Sequence, residues 1–187
     1  MSIYNPAEDS LLLAKHVKIT AREILKENPA ARVLDMGAGS GIQAEACVDA
    51  GVKKENILCV DIDKGAVKLA KKKGFNAVKS DLFSNINKKY KFNLIIFNPP
   101  YLPEDKTKYD LGKDTTGGRL GDETILIFLK QAKSYLNKNG KIMIVLSSFT
   151  PRGRIEKEIK KQSLKCRVLE TQNLFFEKLE VWMLEIK

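Results

Sequence analysis

Val33-Leu34-Asp35-Met36-Gly37-Ala38-Gly39-Ser40-Gly41 carries an apolar strand into a turn with glycine at every second position, and residues 41–50 after it read as a helix. Glycines at such a turn let the backbone approach a ligand closely. The spacing is Gly-x-Gly-x-Gly. A dinucleotide fingerprint would place its third glycine where Ile42 stands. Asp35 ends the strand just before the glycines, where a carboxylate repels a pyrophosphate and attracts a cation.

Outward from this turn the chain alternates short β-branched or aliphatic runs with helical stretches. Toward the N-terminus, Leu13, Val17, Ala21 and Ile24 recur at three and four residues, which predicts an amphipathic helix over 7–27, ended by Asn28-Pro29. Toward the C-terminus, strands are expected at 57–61, from Ala77 to Ser80, at 92–97 and at 141–146. Helices are expected at 65–73, at 123–136 with its end marked by Asn139-Gly140, and at 153–162. Residues 167–171 and 179–186 read as a closing β-hairpin pair. This order predicts an α/β fold of Rossmann type, a mostly parallel sheet with helices on both faces. Residues 1–187 form one domain in this reading, with an N-terminal helical segment (1–30) and a polar loop (101–121) too long for an ordinary α/β connection.

The composition fits that picture. In 187 residues, 43% are apolar and 30% charged, so the chain is expected to be globular. No apolar run approaches the ~20 residues of a membrane span, and MSIYNPAEDS has no basic-then-apolar leader; a soluble protein of the cytoplasm is expected. Cys47, Cys59 and Cys166 are odd in number and far apart, so neither disulfides nor a metal site is predicted. The net charge of +10 is read either as a lysine-rich solvated surface or as attraction to an anionic partner such as RNA or the ribosome.

The strand ends carry the chemistry. Asp61 closes the second strand about twenty residues after Gly41, where an acid takes both ribose hydroxyls. Asp81 follows the third strand, placed to accept from an adenine amino group while Leu82 lies against the ring. Asn98 closes the fourth. Ligands of open α/β sheets bind outside the carboxyl ends of the strands, so Asp35, Asp61, Asp81 and Asn98 are expected along one edge. S-adenosylmethionine suits this set, because it offers a sulfonium and an α-ammonium to the acids.

Asn98-Pro99-Pro100-Tyr101 leaves the central strand. It suits methylation of a planar nitrogen, an amide or an exocyclic amine, whose delocalised lone pair is a poor nucleophile. The Asn98 side-chain carbonyl accepts one N–H and the Pro99 backbone carbonyl the other, favouring a pyramidal nitrogen. These bonds strengthen as the nitrogen becomes positive. The prolines stiffen the turn, and Tyr101 offers a flat face for stacking. No strong base is needed, in keeping with a single histidine, His16, on an amphipathic helix.

These residues, with Tyr4-Asn5-Pro6-Ala7-Glu8-Asp9-Ser10, Cys59-Val60-Asp61-Ile62-Asp63, Asp81-Leu82 and Gly117-Gly118-Arg119-Leu120-Gly121, resemble the HemK family of S-adenosylmethionine-dependent N5-glutamine methyltransferases, in its short archaeal and eukaryotic branch. The resemblance implies a class I methyltransferase fold with a seven-stranded sheet and an antiparallel C-terminal strand. It further implies methylation of the glutamine of a Gly-Gly-Gln motif in a peptide-chain release factor. Ser10, Asp35, Gly37, Gly39, Gly41, Asp61, Asp81, Leu82 and Asn98 would then hold the cofactor, and Asn98, Pro99, Pro100 and Tyr101 the substrate glutamine. Glu8 and Asp9 would cover the methionine end of the cofactor; capping of the first helix is their other reading. Asp122-Glu123 stands where relatives carry an Arg-Glu pair. The short branch also works with a small zinc-binding activator protein, which here would add a strand beside Ala77 to Ser80.

Two other functions compete. An RNA methyltransferase acting on an exocyclic amine would use the same fold and motif, but the chain has no appended RNA-binding module. Its basic clusters, Lys71-Lys72-Lys73 and residues 157–165, fall on predicted helices away from the strand ends. A catalytically silent binding scaffold is opposed by the intact Asn98, Tyr101 and cofactor acids.

Overall fold

All four residues of β1, Val33–Met36, are buried, and successive side chains enter different cores: Val33 the one on one face of the sheet, Leu34 the one on the other. The same alternation runs along β4 (Phe92–Phe97) and β5 (Leu136–Ser147), whose neighbours in sequence divide between the two clusters. Strands buried on both faces read as continuous apolar runs, as these do. The computed structural model describes residues 7–102 and 117–187.

The seven-stranded sheet has the order β3-β2-β1-β4-β5-β7-β6, with β2 at Ile57–Asp61, β3 at Asn76–Lys79, β6 at Leu164–Asn173 and β7 at Lys178–Ile186. The first five strands are parallel, and β7 runs antiparallel to both β5 and β6. Helices α1 (Glu8–Glu27), α2 (Ile42–Asp49) and α3 (Lys64–Lys72) contribute Leu13, Val17, Ala44 and Val67 to one core. Helices α4 (Glu123–Ala132) and α5 (Arg152–Lys161) contribute Ile125, Phe128, Leu129, Ile155 and Ile159 to the other. The chain winds outward from β1 to β3 and then returns to place β4 on β1's other side. The strand order therefore switches between β1 and β4, the point in such sheets where a crevice opens at the carboxyl ends.

One expectation fails. The helix predicted over 123–136 stops at Ala132, a 3-10 turn follows at Lys133–Tyr135, and β5 begins at Leu136. Asn139-Gly140 therefore ends no helix. Phe92 pairs with Leu136 and Leu94 with Lys141, so residues 137–140 bulge out of the β4–β5 ladder. A Cβ on Gly140 would stand 2.8 Å from the Phe92 carbonyl oxygen, which is why glycine occupies that point. The closing hairpin is present and longer than expected.

Candidate functional site

The β1 exit is built by backbone geometry. Gly37, Gly39 and Gly41 have φ of +64°, +49° and +84°, in the left-handed region that glycine enters without penalty. At Gly37 a Cβ would meet the Phe97 ring only at ordinary contact distance (3.5 Å), so it is the positive φ that calls for glycine there. The turn is tied to β2, since Ala38 N–H donates to the Val60 carbonyl (3.0 Å) and Gly39 N–H to Asp61 Oδ2 (2.8 Å). Lys73, at the end of α3, donates its Nζ to the Ser40 carbonyl (2.9 Å) and pairs with Glu45 (2.8 Å). One lysine of a cluster expected to lie away from the strand ends thus braces the glycine turn, because α3 leads back alongside it.

The acids differ in environment. Asp35 is 1% exposed and accepts from Ala44 N–H in the first turn of α2 (3.2 Å). Burial pushes its pKa up to about 7; the Ala44 bond opposes this and the nearby Asp61 charge adds to it. Asp61 receives a backbone N–H on each oxygen, Gly39 on Oδ2 and Asp63 on Oδ1 (2.8 Å), which fixes the carboxylate plane and leaves each oxygen a second lone pair. Asp81 is exposed at the rim. Its neighbour Leu82 has φ +45°, a strained conformation for a branched side chain. Buried Ser80 holds it by donating Oγ–H to the Leu82 carbonyl (2.8 Å) while accepting from Asn85 N–H (2.9 Å).

Asn98 is clamped by helix α1. Its Nδ2 donates to Ser10 Oγ (3.0 Å) and Asp9 Oδ2 (3.3 Å), and the Tyr101 hydroxyl donates to the same Asp9 oxygen (3.0 Å). An ionised carboxylate only accepts, so it sets which end of the Asn98 amide faces it. The opposite end, Oδ1, is buried without a hydrogen-bond donor among the described residues. An orphaned acceptor of this kind costs about 1–3 kcal/mol, which a ligand N–H would relieve. Pro99 is buried, and the turn rests on Thr150, whose Oγ1 lies 3.5 Å from the Tyr101 carbonyl.

Neither Glu8 nor Asp9 is the N-cap residue of α1, but Asp9 Oδ1 accepts the Ser10 N–H of its first turn (2.5 Å). Ala7 occupies the N-cap with no side-chain bond, and Asp9, 4% exposed, points inward. Of the two readings of Asp9, the structure brings it to the crevice, against Asn98 and Tyr101. Gln43 was missed altogether: it is 3% exposed, and its Nε2 donates to the Ser10 carbonyl (3.0 Å), tying α2 to α1 beside the crevice. A buried amide one residue into a helix after the glycines was the available signal. His16 is occupied by Glu170 of β6 (2.7 Å). Tyr4-Asn5-Pro6 and residues 103–116 of the long loop lie outside the described residues.

Where the chain resumes, Gly117 N–H donates to the Leu102 carbonyl (3.0 Å). A Cβ there would stand 2.4 Å from the Gly121 carbonyl oxygen and 2.5 Å from that of Pro100. Both obstacles are backbone, so Gly117→Ala must displace the Pro100 turn. It is expected to destabilise the fold by about 1–3 kcal/mol, read as a lower urea midpoint at unchanged slope; an unchanged midpoint would contradict this packing. Asp122 is wholly buried and pairs with Arg154 of α5 (2.9 Å).

Among the described residues no cluster of three His, Cys, Asp or Glu could hold a metal ion, and no helix is long and apolar enough to cross a membrane. The site is therefore a crevice of carboxylates, backbone N–H groups and one orphaned amide oxygen. That donor set fits a ligand with cationic and hydroxyl groups on one side and an N–H donor on the other.

Comparison with known proteins agrees with this chemistry. Residues 16–176 match the family model of the methyltransferase small domain. A candidate protein N5-glutamine methyltransferase of Methanocaldococcus jannaschii is 35% identical, over 96% of this chain and 89% of that protein. A release factor glutamine methyltransferase of Fusobacterium nucleatum is 32% identical, over 54% of this chain and 29% of its own length. Among solved structures, the E. cuniculi Mtq2-Trm112 complex, responsible for methylation of the eRF1 translation termination factor, superposes with a TM-score of 0.75 at 22% identity, over 100% of both chains.

Proposed function

We propose that this chain, which belongs to the methyltransferase small domain family, transfers a methyl group from S-adenosylmethionine to the side-chain amide nitrogen of a glutamine in a peptide-chain release factor. The observation that carries the reading is Asn98, whose amide is pinned at Nδ2 by Ser10 and Asp9 while Oδ1 is buried without a donor. The target within the factor is the glutamine of a Gly-Gly-Gln motif.

The cofactor supplies a methyl group on a positively charged sulfur. Asp61 would take the ribose hydroxyls on its remaining lone pairs, Asp81 and Leu82 the adenine, and Asp35 with the glycine turn and Ser10 the cationic end. Asn98 Oδ1 accepts one amide N–H of the substrate and the Pro99 carbonyl the other. As the C–N bond forms and the methyl–sulfur bond breaks, its electron pair staying on sulfur, the nitrogen becomes positive and its N–H groups become stronger donors. Both acceptors therefore bind the transition state more tightly than the ground state. Tyr101, held through its hydroxyl by Asp9, presents a ring for the amide plane to lie on. The proton leaves to water after transfer, so no side chain in the crevice need act as a strong base. Fixing the nitrogen in line with the methyl group supplies much of the rate.

A small partner protein is part of the proposal. β3 ends the sheet order, and beside it an open groove of about 810 Å³ is lined by Arg32, Ile57, Phe75, Ala77 and Tyr90. An unpaired edge strand over such a groove suits strand addition.

The test is transfer of labelled methyl from S-adenosylmethionine to release factor or to total RNA, with and without the candidate activator. Label in the factor is expected; label in RNA alone would overturn the assignment. A pH dependence accompanies it. A carboxyl with a pKa of about 7 binds a cation well only once ionised, so cofactor affinity is expected to rise almost tenfold per pH unit up to about 7 and then level. The folded pKa lies above the unfolded value of 3.8, so the unfolded chain ionises first, and this group subtracts stability progressively from about pH 4 to 7. Asp35→Asn should flatten the calorimetric affinity profile. A flat profile in the unaltered protein would refute the role of Asp35.

A further inference from the structure

The two most exposed large apolar side chains among the described residues are neighbours. Phe175 is 92% and Phe176 82% exposed, their rings packed edge to face at 4.5 Å, at the tip of the β6–β7 hairpin. One backbone bond closes the turn, Leu174 N–H donating to the Glu177 carbonyl (2.7 Å). The tip also stands on the same edge of the sheet as the candidate site. β7 pairs Leu179 with Ser147 at the carboxyl end of β5, and β5 lies beside β4, which ends at Phe97, next to Asn98. At ~4.8 Å per strand the tip lies about 10–15 Å sideways from that exit, and the register carries it roughly five residues, on the order of 18 Å, further out along the strand direction. Short links join the two, since Ser148 exchanges hydrogen bonds with Lys178 (2.8 and 3.1 Å) and Thr150 meets the Tyr101 carbonyl (3.5 Å).

Two adjacent phenylalanines presented to water at a hydrogen-bonded turn are a hydrophobic contact in search of a partner. We infer that the Phe175-Phe176 tip docks on an apolar surface of the folded protein that carries the target glutamine, so that the enzyme reads its substrate at two points along one edge. This rests on the release-factor reading above. Charge favours a protein over RNA at this point. The turn itself carries Glu177, and the two cations near it among the described residues, Lys178 and Arg152, are both paired with Glu180 (3.1 and 2.9 Å), so neither is presented alone to a phosphate. Their exposure makes both rings replaceable without opening a cavity.

The experiment compares the unaltered chain with Phe175→Ser/Phe176→Ser, in steady-state methylation of intact release factor and of a short peptide bearing the same glutamine. The double variant should raise KM for the intact factor at least tenfold, with kcat within twofold and with peptide kinetics and calorimetric cofactor affinity unchanged. An unchanged KM for the factor would overturn the docking role, as would an equal loss on the peptide. A dimer of the unaltered chain that the double substitution dissociates would overturn it too, by assigning the tip to a second copy. If the unaltered chain labels RNA and never the factor, the release-factor reading fails first and the docking role falls with it.

Discussion

Asn98→Ala is expected to lower kcat by about 10³-fold while cofactor affinity stays within a few-fold of its original value. Removing one preorganised group that responds to transition-state charge typically costs 10²–10³ in rate, and here the substituted residue also loses the contact that orients the amide. The structure adds a second arm. Asp9→Ala leaves Oδ1 in place but removes the carboxylate that accepts from Nδ2 and from the Tyr101 hydroxyl. Ser10 remains a partner at 3.0 Å. The loss in kcat should therefore be smaller, about 10–10²-fold, with no new dependence on cofactor concentration. Single-turnover methylation with calorimetry in parallel reads both quantities. Full activity in Asn98→Ala would remove the central residue of the mechanism.

Asp61→Ala should act on the other quantity, weakening cofactor binding by about 10²-fold or more. A hydrogen bond to a charged group contributes about 1.5–3 kcal/mol, and two ribose hydroxyls are assigned to this one carboxylate. The substitution also strips the Gly39 and Asp63 N–H groups of their acceptor, so the glycine turn loses its tie to β2. Asp61→Asn separates the two effects. Its amide oxygen still accepts from one backbone N–H, which retains part of the turn's geometry, yet it loses the negative charge and half of the acceptor capacity. An intermediate affinity is expected. Calorimetric constants equal to those of the unaltered chain would rule out the ribose role.

How much of this was legible in the sequence depends on how local each determinant is. The aliphatic runs of β1, β4 and β5, and the three- and four-residue spacing of Leu13, Val17, Ala21 and Ile24, are properties of neighbouring residues. The strands were legible as short aliphatic runs and the first helix by its spacing, and the order of strand and helix predicted the parallel sheet; the division of each strand between two cores is what the structure adds. The glycine turn was equally legible, because its positive φ angles demand glycine wherever the chain is placed. Gly140 was misread for the converse reason. Asn-Gly is a turn signal at helix ends and at strand bulges alike, and only the Phe92 carbonyl, 2.8 Å from where a Cβ would sit, distinguishes the two.

The candidate site divides in the same way. The sequence by itself determined the chemical groups and the strand ends that bear them: Asp35, Asp61 and Asn98 each close a short aliphatic run that reads as a strand. Only the tertiary structure decided what those groups are joined to. Asp9 meets Asn98 across 89 residues, Lys73 reaches Ser40 across 33, and Gly117 abuts Pro100 beyond a long loop. These contacts arise from where α1, α3 and α4 come to rest on the sheet. The same docking buries Asp35 and lifts its pKa to about 7, and it brings the hairpin tip to the edge that carries Asn98. Periodicity is written in adjacent residues, whereas desolvation and the pinning of one amide depend on elements that approach one another only when the chain has folded.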